Sequence, residues 1–288
     1  MTATPVWQTA VFAAAAVVAV AAQIVLDPGL GAQLALLAPL VAILGLPHGA
    51  LDLPIAEALW PLDGWRGKLT FVAIYLGLVA AVILGWVLVP GLTLAAFLAY
   101  SVVHFSDDWA GAATPLRWTG GLATIGAPAL LHHTEVTALF AHLAPPDVAA
   151  ACGDASAMGG GLALCALIGV LLVRRQARGQ AAAEQLILWG AAVLLPPLVF
   201  FAVYFCGLHS VRHFRATIGT LPRARRALMI AVALSGLVTL AAVAVVLLRH
   251  DAILSVSLDT GMRIIFIGLA ALTVPHMILV DRFSRQRA

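Results

Sequence analysis

Apolar residues run almost without interruption along this chain, in blocks about as long as a hydrocarbon core is thick. A helix crosses that core with roughly 20 apolar residues. The pattern predicts helical spans at about residues 6–26, 31–58 (kinked), 69–89, 91–110, 117–133, 158–173, 182–196, 198–220, 227–248 and 262–280. The block from 182 to 220 is too long for one helix and contains Pro196-Pro197. Proline removes a backbone donor, clashes with the preceding turn and pushes the residue before it out of helix. The block is then one long broken helix or two spans that turn at the prolines, and the arginine clusters on either side of it decide for two. No internal repeat stands out and no linker is long enough to divide the chain, so one transmembrane domain over 1–288 is expected.

The sparse charges orient these spans. Basic residues gather in short cytoplasmic loops of membrane proteins. Arg174, Arg175 and Arg178 follow one span, and Arg223, Arg225 and Arg226 precede another. With two spans between them, both clusters lie inside. Arg66, Lys68, Arg117 and the tail residues Arg282, Arg285 and Arg287 then fall on the same side. A loop at 134–157 falls outside, with Glu135, Asp147 and Asp154 but no Lys or Arg. The segment 249–261 balances Arg249 against Asp251 and Asp259 and orients nothing. The expectation is an all-α polytopic helical bundle of about ten spans (8–10), with both termini cytoplasmic, in the inner (plasma) membrane.

Composition agrees. The 288 residues are 62% hydrophobic and 10% charged, where a soluble domain carries about 25% charged residues. Mean hydropathy is +1.04. The net charge of +3 does not indicate nucleic acid, because no basic run is long enough to follow a phosphate backbone. The first apolar run, Val11 to Leu26, lacks a basic leader and reads as a span rather than a cleaved signal. Cys152, Cys165 and Cys206 show no metal-finger or CxxC spacing and read as small apolar fillers, although Cys206 lies beside a histidine motif.

Ionisable residues inside spans are costly and usually face the bundle interior. They cluster in five places. Pro47-His48-Gly49 loosens one helix, and Asp52 lies four residues beyond His48 on the same face. His104 ends another span and is followed by Asp107 and Asp108, at least one of which reads as a loop residue. Tyr204, His209, Ser210 and His213 share a third, with the two histidines four apart on one face and Arg212 and Arg215 positioned to snorkel to the cytoplasmic surface. His132 and His133 sit with Glu135 at the outer end of a span, and His276 follows Pro275 near the inner end of the last. Depth separates these groups. His48, His104, His209, His213 and His276 fall at the midplane or the cytoplasmic half, and His132 and His133 at the opposite face. His142 and His250 lie in loops. A lone membrane histidine usually makes one interhelical hydrogen bond. Five at a shared depth point instead to a metal ion, and imidazole suits zinc, copper, iron and nickel alike. A histidine that binds metal through one nitrogen usually donates the other N–H to a carboxylate or carbonyl, a part open to Asp52, Asp108 and Tyr204, with His276 a further candidate.

The motifs Pro47-His48-Gly49-Ala50-x-Asp52, His104-Phe105, Tyr204-Phe205-Cys206-x-x-His209-Ser210-x-Arg212-His213 and Pro275-His276-Met277 together resemble the Brp/Blh family of membrane-embedded β-carotene dioxygenases, from about residue 40 to 280. The resemblance implies an iron(II)-dependent enzyme that cleaves the central 15,15′ double bond of β-carotene with O2 to give two all-trans-retinal. It implies Fe(2+) held by His48, His104, His209 and His213. Its partners would be β-carotene or a related carotenoid, O2 and the lipid bilayer, with a functional link to a retinal-binding rhodopsin. Leu208 departs from the tryptophan usual there, at a position that shapes a pocket wall.

The rival readings use the same residues. A bis-histidine haem protein would take His48 and His209, and a transporter would pass metal or protons along the set. A di-iron hydroxylase would need HxxHH boxes, which the chain lacks.

Overall fold

The structure is a computed structural model that describes residues 5–45, 49–62, 64–173, 179–221, 223–248 and 258–285. Every regular element among the described residues is helical. In order they are α1 (Val6–Leu26), α2 (Leu30–Leu40) continuing as a π-helical turn (Val41–Gly45), α3 (Asp52–Leu59), α4 (Gly64–Leu88), α5 (Pro90–Ser106) with a 3₁₀ turn (Asp107–Trp109), α6 (Thr114–Leu131), α7 (His133–Ala141), α8 (Pro146–Val173), α9 (Gln180–Leu194), α10 (Pro197–Tyr204), a second π-helical turn (Phe205–His209), α11 (Ser210–Ile218), α12 (Ala224–Leu248) and α13 (Leu258–Arg285).

In so apolar a chain the breaks come mainly from proline and a few polar residues. Pro90, Pro115, Pro146 and Pro197 all stand in the first turn of a helix, where a missing N–H costs nothing. α1 ends on Asp27 at φ 38°, ψ 60°, whose N–H caps the Gln23 carbonyl. A short polar residue tolerates this left-handed turn, and Pro28 follows it. The turn expected at Pro196-Pro197 is present: α9 stops at Leu194, Leu195 and Pro196 are extended, and Pro197 opens α10.

Among the described residues, four helices are long and apolar enough to cross a membrane: Val6–Leu26, Gly64–Leu88, Pro146–Val173 and Leu258–Phe283. Their apolar side chains stay outside the protein, with Val25 79% and Val173 82% exposed. A helix that is apolar on the side facing away from its neighbours belongs in lipid. The segment 134–157, expected as a loop, is instead mostly helix, formed by α7 and the first turns of α8. Few of its residues break helix, and Pro146 opens a helix of 28 residues rather than ending one. The expected span 31–58 is divided: α2 gives way to its π turn at Val41, and α3 begins separately at Asp52.

The chain forms two compact units. The first takes Met1–Leu37 and Leu94–Arg212. Here α6 is the central strut. A Cβ on Gly126 would overlap the backbone of Gly160 and Ser156 in α8, and one on Gly121 would overlap the Val102 carbonyl of α5. Small residues permit such close backbone approach where no hydrophobic force drives helices together. Gly120 lies beneath the Trp109 ring and so seats the 3₁₀ turn on α6. The second unit takes Ala38–Thr93 and His213–Ala288. Its core joins Leu51, Ile55 and Ala56 to Leu221, Ala227, Ala231 and Leu279. At its edge Glu57 accepts from Lys68 (2.9 Å) and Arg226 (3.3 Å).

Candidate metal centre

In the first unit, three elements end at one point. α5 delivers His104 in its last turn, the 3₁₀ turn delivers Asp108, and α10 delivers Tyr204 immediately before the π turn that ends on His209. All four side chains are buried, His209 completely. A π turn carries one extra residue per turn and is often found at functional positions. Gly207 lies within it, and a Cβ there would come 3.2 Å from Ala15 of α1. Glycine therefore lets the wide turn lie close against α1.

Asp108 organises the cluster. Its Oδ2 accepts the Tyr204 hydroxyl at 2.5 Å and the His209 Nδ1–H at 3.1 Å. With the proton held on Nδ1, the lone pair of His209 lies on Nε2, the arrangement that metal-binding histidines show. His104 stands edge-on to His209, with ring centroids 4.6 Å apart and planes at 77°. Phe105 and Phe205 pack on His209 at 5.0 and 5.4 Å, and Trp109 stacks on Tyr204 at 6.3 Å. Aromatic carbon thus packs against a fully buried imidazole whose carboxylate partner is Asp108.

α11 continues from the π turn without a break, so His213 stands one turn beyond His209 on the same helix, just past the last residue of the first unit. Asp108 and His209 each offer a ligand atom within this unit, and the two atoms lie within 4.8 Å of one another. Imidazole nitrogens beside a buried carboxylate are a donor set that fits a divalent transition ion, with the carboxylate offsetting part of its charge.

The second unit holds a similar constellation. Asp52 is buried, its Oδ2 accepts the Tyr75 hydroxyl at 2.8 Å, and its Oδ1 accepts His276 Nδ1–H at 2.6 Å. Asp52, expected to serve His48 or a neighbour, thus meets His276. His48 lies outside the described residues, as does His250. Asp107 and Asp108 part ways: Asp107 pairs with Arg117 at 2.6 Å with both side chains partly exposed, and Asp108 is enclosed. His132 Nε2 donates to the Ala192 carbonyl at 2.9 Å, and His133 pairs with Asp154 at 2.9 Å, so both have partners of their own. All three cysteines are free thiols, and Cys206 is buried within the π turn.

One expectation is corrected. Arg212 does not snorkel to the surface. It is buried, and its Nη2 donates to Glu184 Oε1 at 2.7 Å. The acceptors are Glu184 on α9 and Gln8 on α1, distant in sequence, which draw the guanidinium inward. Glu184 and Tyr75 escaped the motif reading. The signal for Glu184 was present as an acid two residues inside an expected span, where a charge needs a partner.

The comparisons with known proteins bear on this geometry. A family model described as beta-carotene 15,15'-dioxygenase matches residues 39–284. A protein named beta-carotene 15,15'-dioxygenase from uncultured marine bacterium 66A03 is 34% identical over 262 residues, which cover 85% of this chain and 92% of that one. No solved structure gives a significant match.

Proposed function

The chain belongs to the beta-carotene 15,15'-dioxygenase family and is a dioxygenase, and from that premise we propose that it cleaves the central double bond of β-carotene or a close carotenoid, consuming O2 and giving two molecules of all-trans-retinal. The observation that carries the proposal is the enclosed Asp108–His209 pair beside His104. The proposed ligands are His48, His104, His209 and His213, and the proposed metal is iron(II). When bound, iron(II) supplies the activation of O2.

The remaining work falls to the chain itself. Asp108 keeps the proton of His209 on Nδ1 and fixes the plane of the ring. Tyr204 donates to the same carboxylate oxygen and limits its rotation. Asp52 orients His276 through Nδ1, with Tyr75 as its second donor. β-Carotene is a hydrocarbon rod with no polar group to grip, so contact and depth must select the bond to be cut. Phe105, Phe205 and Trp109 supply an apolar wall around the imidazoles and keep water out. A substrate dissolved in the bilayer suits an enzyme whose long helices expose apolar faces.

The wider reading is a single transmembrane domain of about ten spans in the inner (plasma) membrane, both termini cytoplasmic, feeding retinal to a rhodopsin-type retinal-binding protein. The test is expression in cells that make β-carotene. Loss of orange colour with retinal in the extract is expected, and His209→Ala should abolish both. Retinal at the wild-type level from purified His209→Ala would overturn the assignment. Metal analysis of the purified protein separates iron from zinc, and a Soret band would replace the proposal with a haem protein.

A further inference from the structure

The cluster just described leaves one expensive feature unexplained, a charged pair buried beside it. The Arg212 and Glu184 side chains are only 11% and 2% exposed. Desolvating two ions costs several kcal/mol each, and packing alone is served as well or better by apolar residues of similar volume. Packing alone does not account for the pair, and its contacts show what it positions.

Arg212 uses each of its three nitrogens: Nη1 donates to the backbone carbonyl of Asp108 at 2.5 Å, Nη2 to Glu184 Oε1 at 2.7 Å, and Nε to Gln8 Oε1 at 3.3 Å. The same Glu184 oxygen also accepts from Thr9 Oγ1 at 2.6 Å and Gln180 Nε2 at 3.1 Å. Gln180 donates in turn to Thr9 Oγ1 at 2.8 Å. Arg212 follows His209 by three residues and shares its helix face. Both reach Asp108 from that face, His209 to its carboxylate and Arg212 to its carbonyl. One tether would fix the position of the 3₁₀ turn, and two fix its orientation as well.

We propose that Glu184 and Arg212 are positioning residues for the metal centre: Glu184 anchors and neutralises the Arg212 guanidinium, which then docks the carbonyl of Asp108 so that its carboxylate faces His209. The charge of Glu184 matters as much as its shape. Without it, an uncompensated guanidinium bonded to the carbonyl of Asp108 would compete for the carboxylate of that residue. The carboxylate would then lend less of its charge to the imidazole. The proposal rests on the metal-centre reading above, and extends it to Glu184 of α9 and Arg212 of α11, neither of which is among its proposed ligands.

The experiment reads metal affinity rather than turnover. Full-length protein is purified in detergent, stripped, and titrated with Co(II) against a chelator, without carotenoid or O2. Thermal unfolding of the metal-free protein is followed in parallel. Glu184→Gln keeps size and acceptor but loses charge. It should weaken Co(II) binding roughly 10–100-fold while metal-free unfolding stays near wild type. Glu184→Asp is a poorer shape but keeps the charge, and should recover part of the loss. A merely structural role predicts the opposite order. Arg212→Lys cannot reach the carbonyl and Glu184 together and should also weaken binding. If Glu184→Gln does not fold, Arg212→Lys and Thr9→Val decide the matter in the same assay. Co(II) binding by Glu184→Gln at wild-type strength, or weaker binding by Asp than by Gln, overturns the proposal. Wild-type protein that binds no Co(II) overturns the metal centre with it. Wild-type protein that binds Co(II) but spares carotenoid overturns the reaction alone, and the variants still decide the positioning role.

Discussion

Asp108 places two donors on one oxygen, the Tyr204 hydroxyl and the His209 ring N–H. Asp108→Asn separates orientation from charge, since the amide oxygen still accepts from His209 but no longer offsets a cation. The expected result is metal affinity lowered roughly 10–100-fold, with retinal output falling alongside. Chelator competition and extraction of retinal measure the two. Asp52→Ala is the counterpart in the second unit. It leaves Tyr75 and His276 without their shared acceptor, and weakened retinal production at normal expression is expected. Loss of activity equal to that of His209→Ala would instead make His276 a ligand in its own right. At this scale the sequence was informative where spacing is local. His209 and His213 lie on one continuous helix, and Asp52 and Asp108 stood out as carboxylates near span ends. The partners were not legible, because Tyr75 and His276 reach Asp52, and Glu184 reaches Arg212, across long stretches of chain, and no period records such contacts. Arg212 misled for a physical reason: an arginine near a helix end reaches water unless a buried acid captures it first.

Elements were legible where proline speaks. The break at Pro196-Pro197 followed from a missing donor. The π turns were not, because an extra residue per turn leaves no mark in an all-apolar stretch such as Val41–Gly45. Nor was helix α7, which lies where charge alone suggested a loop. The glycines of α6 carry a prediction at this scale. A Cβ on Gly126 meets backbone of Gly160 and Ser156 rather than a flexible side chain. Gly126→Ala must therefore spread α6 and α8. Overpacking of this kind costs about 1–3 kcal/mol, so earlier thermal unfolding in detergent is expected. Gly161, with nothing near its Cβ position, is the control on α8, and Gly161→Ala should unfold like wild type.

For the whole molecule the open quantity is orientation, and it rests on charge alone. Lys68, Arg66 and Arg117 sit at or near the first turns of α4 and α6, and Arg223, Arg225 and Arg226 at or near that of α12. The residues from 134 to 157 carry acids only. Basic residues are retained on the cytoplasmic side during insertion, and acids count for little. Finding helix rather than loop in α7 does not weaken this. At nine residues, α7 is about 14 Å long at 1.5 Å per residue and falls well short of a roughly 30 Å core. It can lie along a surface without reversing the chain. The prediction is that a cysteine at His142, in protein whose native cysteines are replaced, reacts with an impermeant maleimide added to intact cells whose outer membrane has been opened. A cysteine at Arg225 should react only after lysis. Labelling of both from outside would break the arginine argument, put an odd number of spans between the clusters it joins, and remove the shared depth that brings His104 and His209 to the cytoplasmic half.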